Sequence, residues 1–152
     1  MANVKVTLGA GLKATIQTRD HITYIDEPVA DGGTDAGPMA TEALIGALAA
    51  CAAITTRLYA NRKGWALESV EIEVSRQRLR VEDYPDYDPV KHGVGDTINE
   101  LRQRMTFTGD LTDEQRTRLL EIAGKCPVHR ILTDPVAMIE ELISADVTER
   151  AV

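Results

Sequence analysis

The two cysteines of the chain, Cys51 and Cys126, are the residues whose chemistry is most informative. Cys51 lies in a run of alanines, which is typical of a buried small hydrophobic residue. Cys126 directly precedes Pro127, a residue that favours the first turn of a helix. Backbone N–H groups at a helix start stabilise a thiolate, so this position predicts a lowered pKa for the Cys126 thiol. If the two thiols were paired, one would attack an oxidant and the other would resolve the sulfenic acid to a disulfide. Their spacing alone does not establish that pairing.

A zinc site at Cys126 is disfavoured, although Cys126 and His129 have a spacing that can bind zinc. A structural zinc site needs four ligands, and the other candidates are only Cys51, His21 and His92. We therefore expect neither a metal nor a cofactor, and we interpret His129 as a polar residue that tunes Cys126.

The longest apolar segment, residues 38–65, predicts the central helix of the fold. Leucines, a cysteine and a threonine recur in it at steps of three and four, which is the helical period. These residues are Leu44, Leu48, Cys51, Thr55 and Leu58. Most positions between these residues are Ala or Gly, which indicates a helix that is buried on most sides. The segment approaches the length of a membrane span, but Glu42 and a basic cluster interrupt it, so we interpret it as a core helix. The extent of its apolar surface favours a homodimer in which a second copy of the chain covers it.

The remaining pattern predicts an α+β fold in one domain, residues 1–152. Alternating apolar residues predict a meander of strands at 4–8, 12–16 and 21–25, a strand from Val70 and another over 101–107. The strand from Val70 is expected to be bulged or twisted at residues 76–80. Helices are predicted from the Thr112 capping box to Gly124 and over 127–132. Residues 26–37 and 82–95 are predicted loops, and the segment from Val136 to Val147 is ambiguous between strand and helix.

Composition and charge narrow the class of protein. The chain of 152 residues is 43% apolar and 27% charged, as expected of a globular protein, and carries a formal net charge of −7. The negative charge disfavours nucleic acids and anionic membranes as partners. No secretory signal pattern opens the chain, so we expect a cytoplasmic protein.

Several segments together resemble the OsmC/Ohr family of thiol-dependent peroxidases, and specifically its OsmC-like branch. The resemblance covers about residues 20 to 133. It is carried by GPMATEALIGALAACAAITTRLYANRKGW, GDLTDEQ and LLEIAGKCPVHRIL. It implies an intertwined homodimer, in which antiparallel sheets from both subunits wrap two central helices. It also implies reduction of organic hydroperoxides, and of hydrogen peroxide less well, in oxidative and osmotic stress defence and without metal or flavin.

The resemblance assigns roles to individual residues. Cys51 corresponds to the peroxidatic cysteine, and Cys126 to the resolving cysteine that forms a disulfide with it, which an external dithiol then reduces. Glu42 resembles a glutamate that holds an arginine over the thiolate. Arg19 is our choice for that arginine because the family's arginine comes from the N-terminal region, and Arg57 is the alternative.

Some interpretations stay open at this stage. Glu42 precedes Cys51 by nine residues, which places the two on opposite faces of one straight helix at about 100° per residue, so Glu42 is equally interpreted as a residue that complements the helix dipole. Tyr84 and Tyr87 are either loop anchors or a lining for an alkyl group. The chain as a whole is alternatively a non-catalytic binding or interaction domain, or a thiol redox sensor.

Overall fold

The computed structural model describes residues 3–143 and has two antiparallel sheets packed with helices. The elements follow in the order β1 (Val4–Leu8), β2 (Ala14–Thr18), β3 (His21–Ile25), α1 (Ala40–Lys63), β4 (Ala66–Arg80), α2 (Pro89–His92), β5 (Thr97–Asp110), α3 (Asp113–Ala123) and α4 (Pro127–Thr133). Single 3₁₀ turns lie at Val29–Asp31 and Val81–Asp83. The predicted α+β class is confirmed.

The three N-terminal strands form the predicted meander, in the order β1-β2-β3. The second strand begins two residues later than predicted, at Ala14. The sheet has few contacts with the rest of the chain. Large apolar residues of β1 are accordingly exposed, including Val4 at 57% and Leu8 at 58%.

The second sheet is a long ribbon of β4 and β5, paired from Ala66 opposite Asp110 to Arg80 opposite Thr97. Its bulge lies between Leu67 and Ser69, so the predicted irregularity at residues 76–80 is wrong. The apolar alternation changes there because the ribbon extends beyond the core.

Polar side chains replace apolar ones at that end of the ribbon and still pair across the strands. Arg76 donates to the Asn99 side chain at 3.2 and 3.1 Å, and Arg78 donates to the Thr97 hydroxyl at 3.0 Å. Cross-strand polar pairs of this kind keep the ladder regular without burial.

The central helix α1 packs on β4, α3 and α4 through a narrow stripe of mostly small residues. The stripe repeats every fourth position and comprises Leu48, Ala52, Thr56 and Ala60, all buried. The predicted stripe is right at Leu48 and in part at Cys51, which packs against the core, but wrong at its ends, because Leu44 and Leu58 are 47% and 64% exposed. Small side chains let the helix backbone approach its neighbours closely, and the larger residues are left on the open side. The helix ends at Gly64, which adopts a left-handed conformation (φ 67°) as predicted.

The length and apolarity of α1 are also those of a membrane span. Its buried stripe packs on the sheet and on two helices of the same chain. We therefore keep its interpretation as a core helix.

Both predicted C-terminal helices are confirmed. Thr112 and Gln115 form a reciprocal capping box at the start of α3, with hydrogen bonds of 3.0 and 3.2 Å. Cys126 is the N-cap of α4, and Pro127 is its first residue. From Asp134 to Ile143 the chain is neither helix nor strand, so neither alternative for the C-terminal segment holds there. Residues 144–147 of that segment lie outside the described residues.

The loop that leads into α1 is organised around the carboxylate of Asp26, which is only 1% exposed. It accepts hydrogen bonds from the Thr34 hydroxyl at 2.6 Å and from the backbone N–H groups of Glu27, Thr34 and Ala36. The Thr34 hydroxyl, reinforced by these N–H groups, lowers the pKa of Asp26 from its usual 3.8 to about 2 against the opposing effect of burial. Gly33 permits this tight turn, because a Cβ there would lie 1.8 Å from the Glu27 carbonyl oxygen.

We expect Asp26→Asn to lower the free energy of unfolding at neutral pH, because a neutral amide accepts these hydrogen bonds less strongly. The native pKa is depressed, so the stabilisation is complete above the unfolded pKa of about 3.8 and is lost as the pH falls through about 2. The free energies of unfolding of wild type and variant, measured in urea, should therefore converge as the pH falls from about 3.8 to about 2. Asp31→Asn is the control on the same loop. If the difference in free energy of unfolding between wild type and Asp26→Asn stayed constant from pH 3.8 to about 2, it would contradict the role given to the Asp26 carboxylate.

Candidate active site

The structure brings together the two cysteines, which are distant in sequence. Cys51 lies in the middle of α1 and Cys126 at the N-cap of α4, and both belong to one apolar cluster. We call this set, built on Leu48, Ala52, Ala123 and Cys126 with Cys51 packed against it, the thiol cluster. Both cysteines are free thiols. They differ in exposure, because Cys51 is partly exposed while Cys126 is completely buried.

Burial dominates the electrostatics of Cys126. It raises the pKa of the Cys126 thiol, and the Cys51 sulfur adds to the rise through hydrogen bonding and charge. The backbone N–H of His129, 3.3 Å from the Cys126 Sγ, and that of Val128 act in the opposite direction. The predicted lowering of this pKa is therefore wrong, because desolvation outweighs the helix start. Cys126 is a neutral thiol at neutral pH.

The guanidinium of Arg57 is hydrogen-bonded to the backbone of β4. Its guanidinium donates to the backbone carbonyl oxygens of Leu67 and, at 2.7 Å, of Glu68. These two carbonyls lie at the bulge of β4, where the regular ladder is interrupted. Arg57 thus ties α1 to β4, and this role leaves Arg19 as the remaining choice for an arginine at Cys51.

Glu42 closes the N-terminus of α1. Its Oε2 accepts the backbone N–H of Met39 at 2.9 Å, which is the glutamate half of a capping box. The helix begins at Ala40, before Glu42, so Glu42 and Cys51 do point to opposite sides of one helix. Any influence of Glu42 on Cys51 therefore needs an intervening residue.

Arg19 lies in the two-residue turn between β2 and β3, since Thr18 pairs with His21. Its φ of 55° is uncommon for a residue other than glycine. Its side chain is exposed, and it makes no hydrogen bond or ion pair with any residue from 3 to 143. The structure does not bring Arg19 into the thiol cluster of its own chain.

A cavity of about 800 Å³ opens beside the thiol cluster. Leu48 of α1 and Leu101 of β5 belong both to its wall and to the packing around the thiols, and His129 joins it to α4. The opposite wall comes from the loop between β4 and β5, including Tyr84 and Lys91. Tyr84 agrees with both of its interpretations, because it lines this cavity and also packs on His92 within the loop.

Of the residues that line the cavity, Tyr84 of the loop was considered from the sequence, whereas Lys91 and Gln103 were not singled out. The turn-rich composition of residues 82–95 predicts a loop but does not show that it folds back over the sheet. The packing of Tyr84 on His92, with ring centroids 5.7 Å apart, helps to hold it there. Within residues 3–143, no three metal-ligating side chains are grouped as a metal site.

Comparison with known protein families identifies the class. A family model described as OsmC-like protein matches residues 32–141. Because the match covers most of the chain, this chain belongs to the OsmC-like protein family. The resemblance inferred from the sequence is confirmed. No curated protein sequence matches the chain.

Solved structures of the same family share the fold. An OsmC like protein from Mycoplasma pneumoniae aligns with a TM-score of 0.69 at 17% identity, over 88% of each chain. An organic hydroperoxide resistance protein OsmC from Legionella pneumophila aligns with a TM-score of 0.60 at 18% identity, over 88% of this chain and 90% of that one. The organic hydroperoxide resistance protein OhrB of Bacillus subtilis gives a TM-score of 0.57 at 19% identity, over 88% and 91% of the two chains. At these identities the likeness shows the fold alone.

We expect Arg57→Met to lower the free energy of unfolding by about 2 kcal/mol, since it removes two hydrogen bonds from a charged donor. The rate at which iodoacetamide alkylates Cys51 in the folded protein should not change. Urea unfolding and intact-mass kinetics measure the two effects. Arg80→Met, which removes only the exposed ion pair with Glu82, should cost less than about 1 kcal/mol. A slower alkylation of Cys51 without loss of stability would instead assign Arg57 to the thiol.

Proposed function

We propose that this protein is a thiol peroxidase that reduces organic hydroperoxides. The observation that carries the proposal is the pairing of two free thiols of unequal exposure in one apolar cluster, beside a cavity that shares Leu48 with the cluster. Peroxidase chemistry of this kind needs an accessible sulfur to attack and a second sulfur nearby to resolve the product. Cys51 and Cys126 have those properties.

The reaction proceeds in three balanced steps. The Cys51 thiolate attacks the distal oxygen of the hydroperoxide, the O–O bond breaks, and the leaving alkoxide takes a proton to become an alcohol. Cys51 is then a sulfenic acid, and the Cys126 sulfur attacks its sulfur, so that a disulfide forms and water leaves. An external dithiol reduces the Cys51–Cys126 disulfide and is itself oxidised to a disulfide.

The burial of Cys126 suits the resolving role. Its raised pKa keeps the proton on Cys126, so the neutral thiol can donate a hydrogen bond to the Cys51 sulfur. That proton leaves with the water when the Cys126 sulfur attacks the sulfenic acid. The burial also hides Cys126 from oxidants in solution, since only Cys51 is partly exposed. The difference in accessibility thus explains why Cys51 reacts with the hydroperoxide first and Cys126 reacts afterwards with the sulfenic acid.

The proposed active unit is a homodimer. Most of the α1 surface outside the buried stripe is open in the single chain, with Ile54 60% and Leu58 64% exposed, and β1 exposes Val4 and Val6. Exposed apolar faces on a helix and on a sheet are typical of surfaces that a partner covers. In such a dimer the meander of one chain packs on α1 of the other.

The same arrangement gives a role to Arg19. It lies at the end of a sheet that has few contacts within its own chain, so in the dimer its guanidinium can approach a Cys51 thiolate. A cation there stabilises both the thiolate and the charge that develops on the leaving alkoxide. Glu42 would act through this arginine, since it cannot reach Cys51 along α1.

We expect one equivalent of cumene hydroperoxide to convert wild type to a species lighter by two hydrogens, with both free thiols lost. Cys126→Ser should instead gain one oxygen atom, because the sulfenic acid on Cys51 has no resolving thiol. Intact mass and thiol counts distinguish the products. Cys51→Ser is the control and should remain unchanged, because the remaining thiol is buried. Two unreacted thiols in a folded wild-type protein would contradict the proposal.

For the dimer, we expect Leu58→Glu to shift the protein to monomer at micromolar concentration, because it places a charge on the exposed apolar face of α1. Sedimentation velocity measures the change. Val94→Glu, at a residue that is 96% exposed in the loop between β4 and β5, is the matched control and should leave the dimer intact. A wild type that sediments as a monomer would overturn this part of the proposal.

A further inference from the structure

Gln103 is a polar residue in the middle of the apolar packing around the thiols. It lies on β5 between Leu101 and Met105, which share its face of the strand and both pack against the thiol cluster. Residues on one face of a strand are about 7 Å apart along it. The side chain of Gln103 therefore lies within one residue spacing of the packing that surrounds Cys51.

The amide of Gln103 has unused hydrogen-bonding capacity. Its Oε1 is buried and has no hydrogen-bond partner among the described residues. A buried acceptor without a partner destabilises the folded protein, so its retention in native structures calls for an explanation. Leu101, Met105 and Phe107 on this face of the ribbon are apolar. Asn99 on the same face is polar but exposed, so Gln103 is the polar residue within the packed part of this face.

Gln103 also lines the 800 Å³ cavity, together with Leu48, Leu101 and His129. A terminal amide rotates readily about its last torsion, so either its oxygen or its nitrogen can be presented to the cavity. It therefore offers one acceptor and one donor to a molecule bound in the cavity, from a position between two residues that pack against the thiol cluster.

We propose that Gln103 binds the oxygen end of the ligand in this cavity, a hydroperoxide or alcohol with an apolar body. A hydroxyl group both donates and accepts, so it matches the two ends of the amide, while the apolar body contacts Leu48 and Leu101. This inference rests on the proposed function for the identity of the ligand. Gln103 holds the hydroperoxide group beside Cys51, and it makes the site prefer ligands that carry O–H over hydrocarbons of the same shape.

The test compares the binding of cumyl alcohol with that of tert-butylbenzene, in which a methyl group replaces the hydroxyl. Both are titrated by NMR into reduced wild type and Gln103→Leu, so the result does not depend on turnover. We expect wild type to prefer the alcohol, and the variant to lose roughly 3- to 10-fold of that preference, the effect of one hydrogen bond. The variant should also lose a similar factor in kcat/KM for cumene hydroperoxide.

Stability separates a binding role from a structural one. Because the Oε1 has no partner, Gln103→Leu should unfold at the same or a higher temperature than wild type, whereas loss of a structural residue would lower it. Gln77→Leu is the matched control, since Gln77 lies on the other face of the ribbon and donates to Glu100 at 2.8 Å. It should leave the alcohol preference unchanged. If Gln103→Leu does not fold, Gln103→Asn withdraws the amide by one methylene and should reduce the same preference.

The possible outcomes are distinct. An equal alcohol preference in wild type and Gln103→Leu, or no binding of the alcohol to wild type, would overturn this inference even if hydroperoxide is turned over. A preference that depends on Gln103 would support it, even in a protein whose thiols do not react with hydroperoxide. If the preference depends on Gln103 but the thiols do not react, the peroxidase proposal fails, and Gln103 belongs to a binding site for hydroxyl compounds.

Discussion

The close approach of α1 to the β4–β5 ribbon is the contact on which the other features depend. Ala52, Thr56 and Ala60 have side chains small enough to let the helix backbone approach the sheet and α3. Arg57 secures the same contact by donating to the β4 backbone at the bulge. A larger residue in this stripe would separate the layers, and α4 would no longer bring Cys126 against α1.

The different properties of the two thiols follow from this packing. Cys51 lies at the border of the buried stripe, so it keeps partial exposure, whereas Cys126 is enclosed between α1 and the end of α3. Burial, rather than the helix start, controls the protonation of Cys126. The same layers leave a cavity that shares Leu48 with the thiol cluster, and Gln103, whose Oε1 is buried without a partner among the described residues, lies in its wall.

Local patterns predicted much of this structure, and contacts between elements were harder to predict. The meander, the Thr112 capping box, the Gly64 stop and the Cys126 N-cap all depend on residues near in sequence, and these predictions are confirmed. The buried stripe of α1 was wrong at its ends because alanine is compatible with either face, so the pattern of leucines could not show which face meets the sheet. The bulge was misplaced because a change from apolar to polar residues marks both a bulge and the end of the core. The pKa of Cys126 depends on burial by distant elements, which no local motif reports.

The topology also has a consequence for the speed of folding. Every strand pairing among the described residues joins neighbours in sequence, β1 with β2, β2 with β3 and β4 with β5. The β1–β2 and β2–β3 pairings close short loops, whereas the β4–β5 pairing closes the longer loop at residues 81–96. Pairing of sequence neighbours keeps the contact order low, which is associated with fast folding. The two hairpin systems can each form early and without the other, because α1 separates them along the chain. The two sulfurs come together only when α4 docks on α1, a contact that neither hairpin system contains.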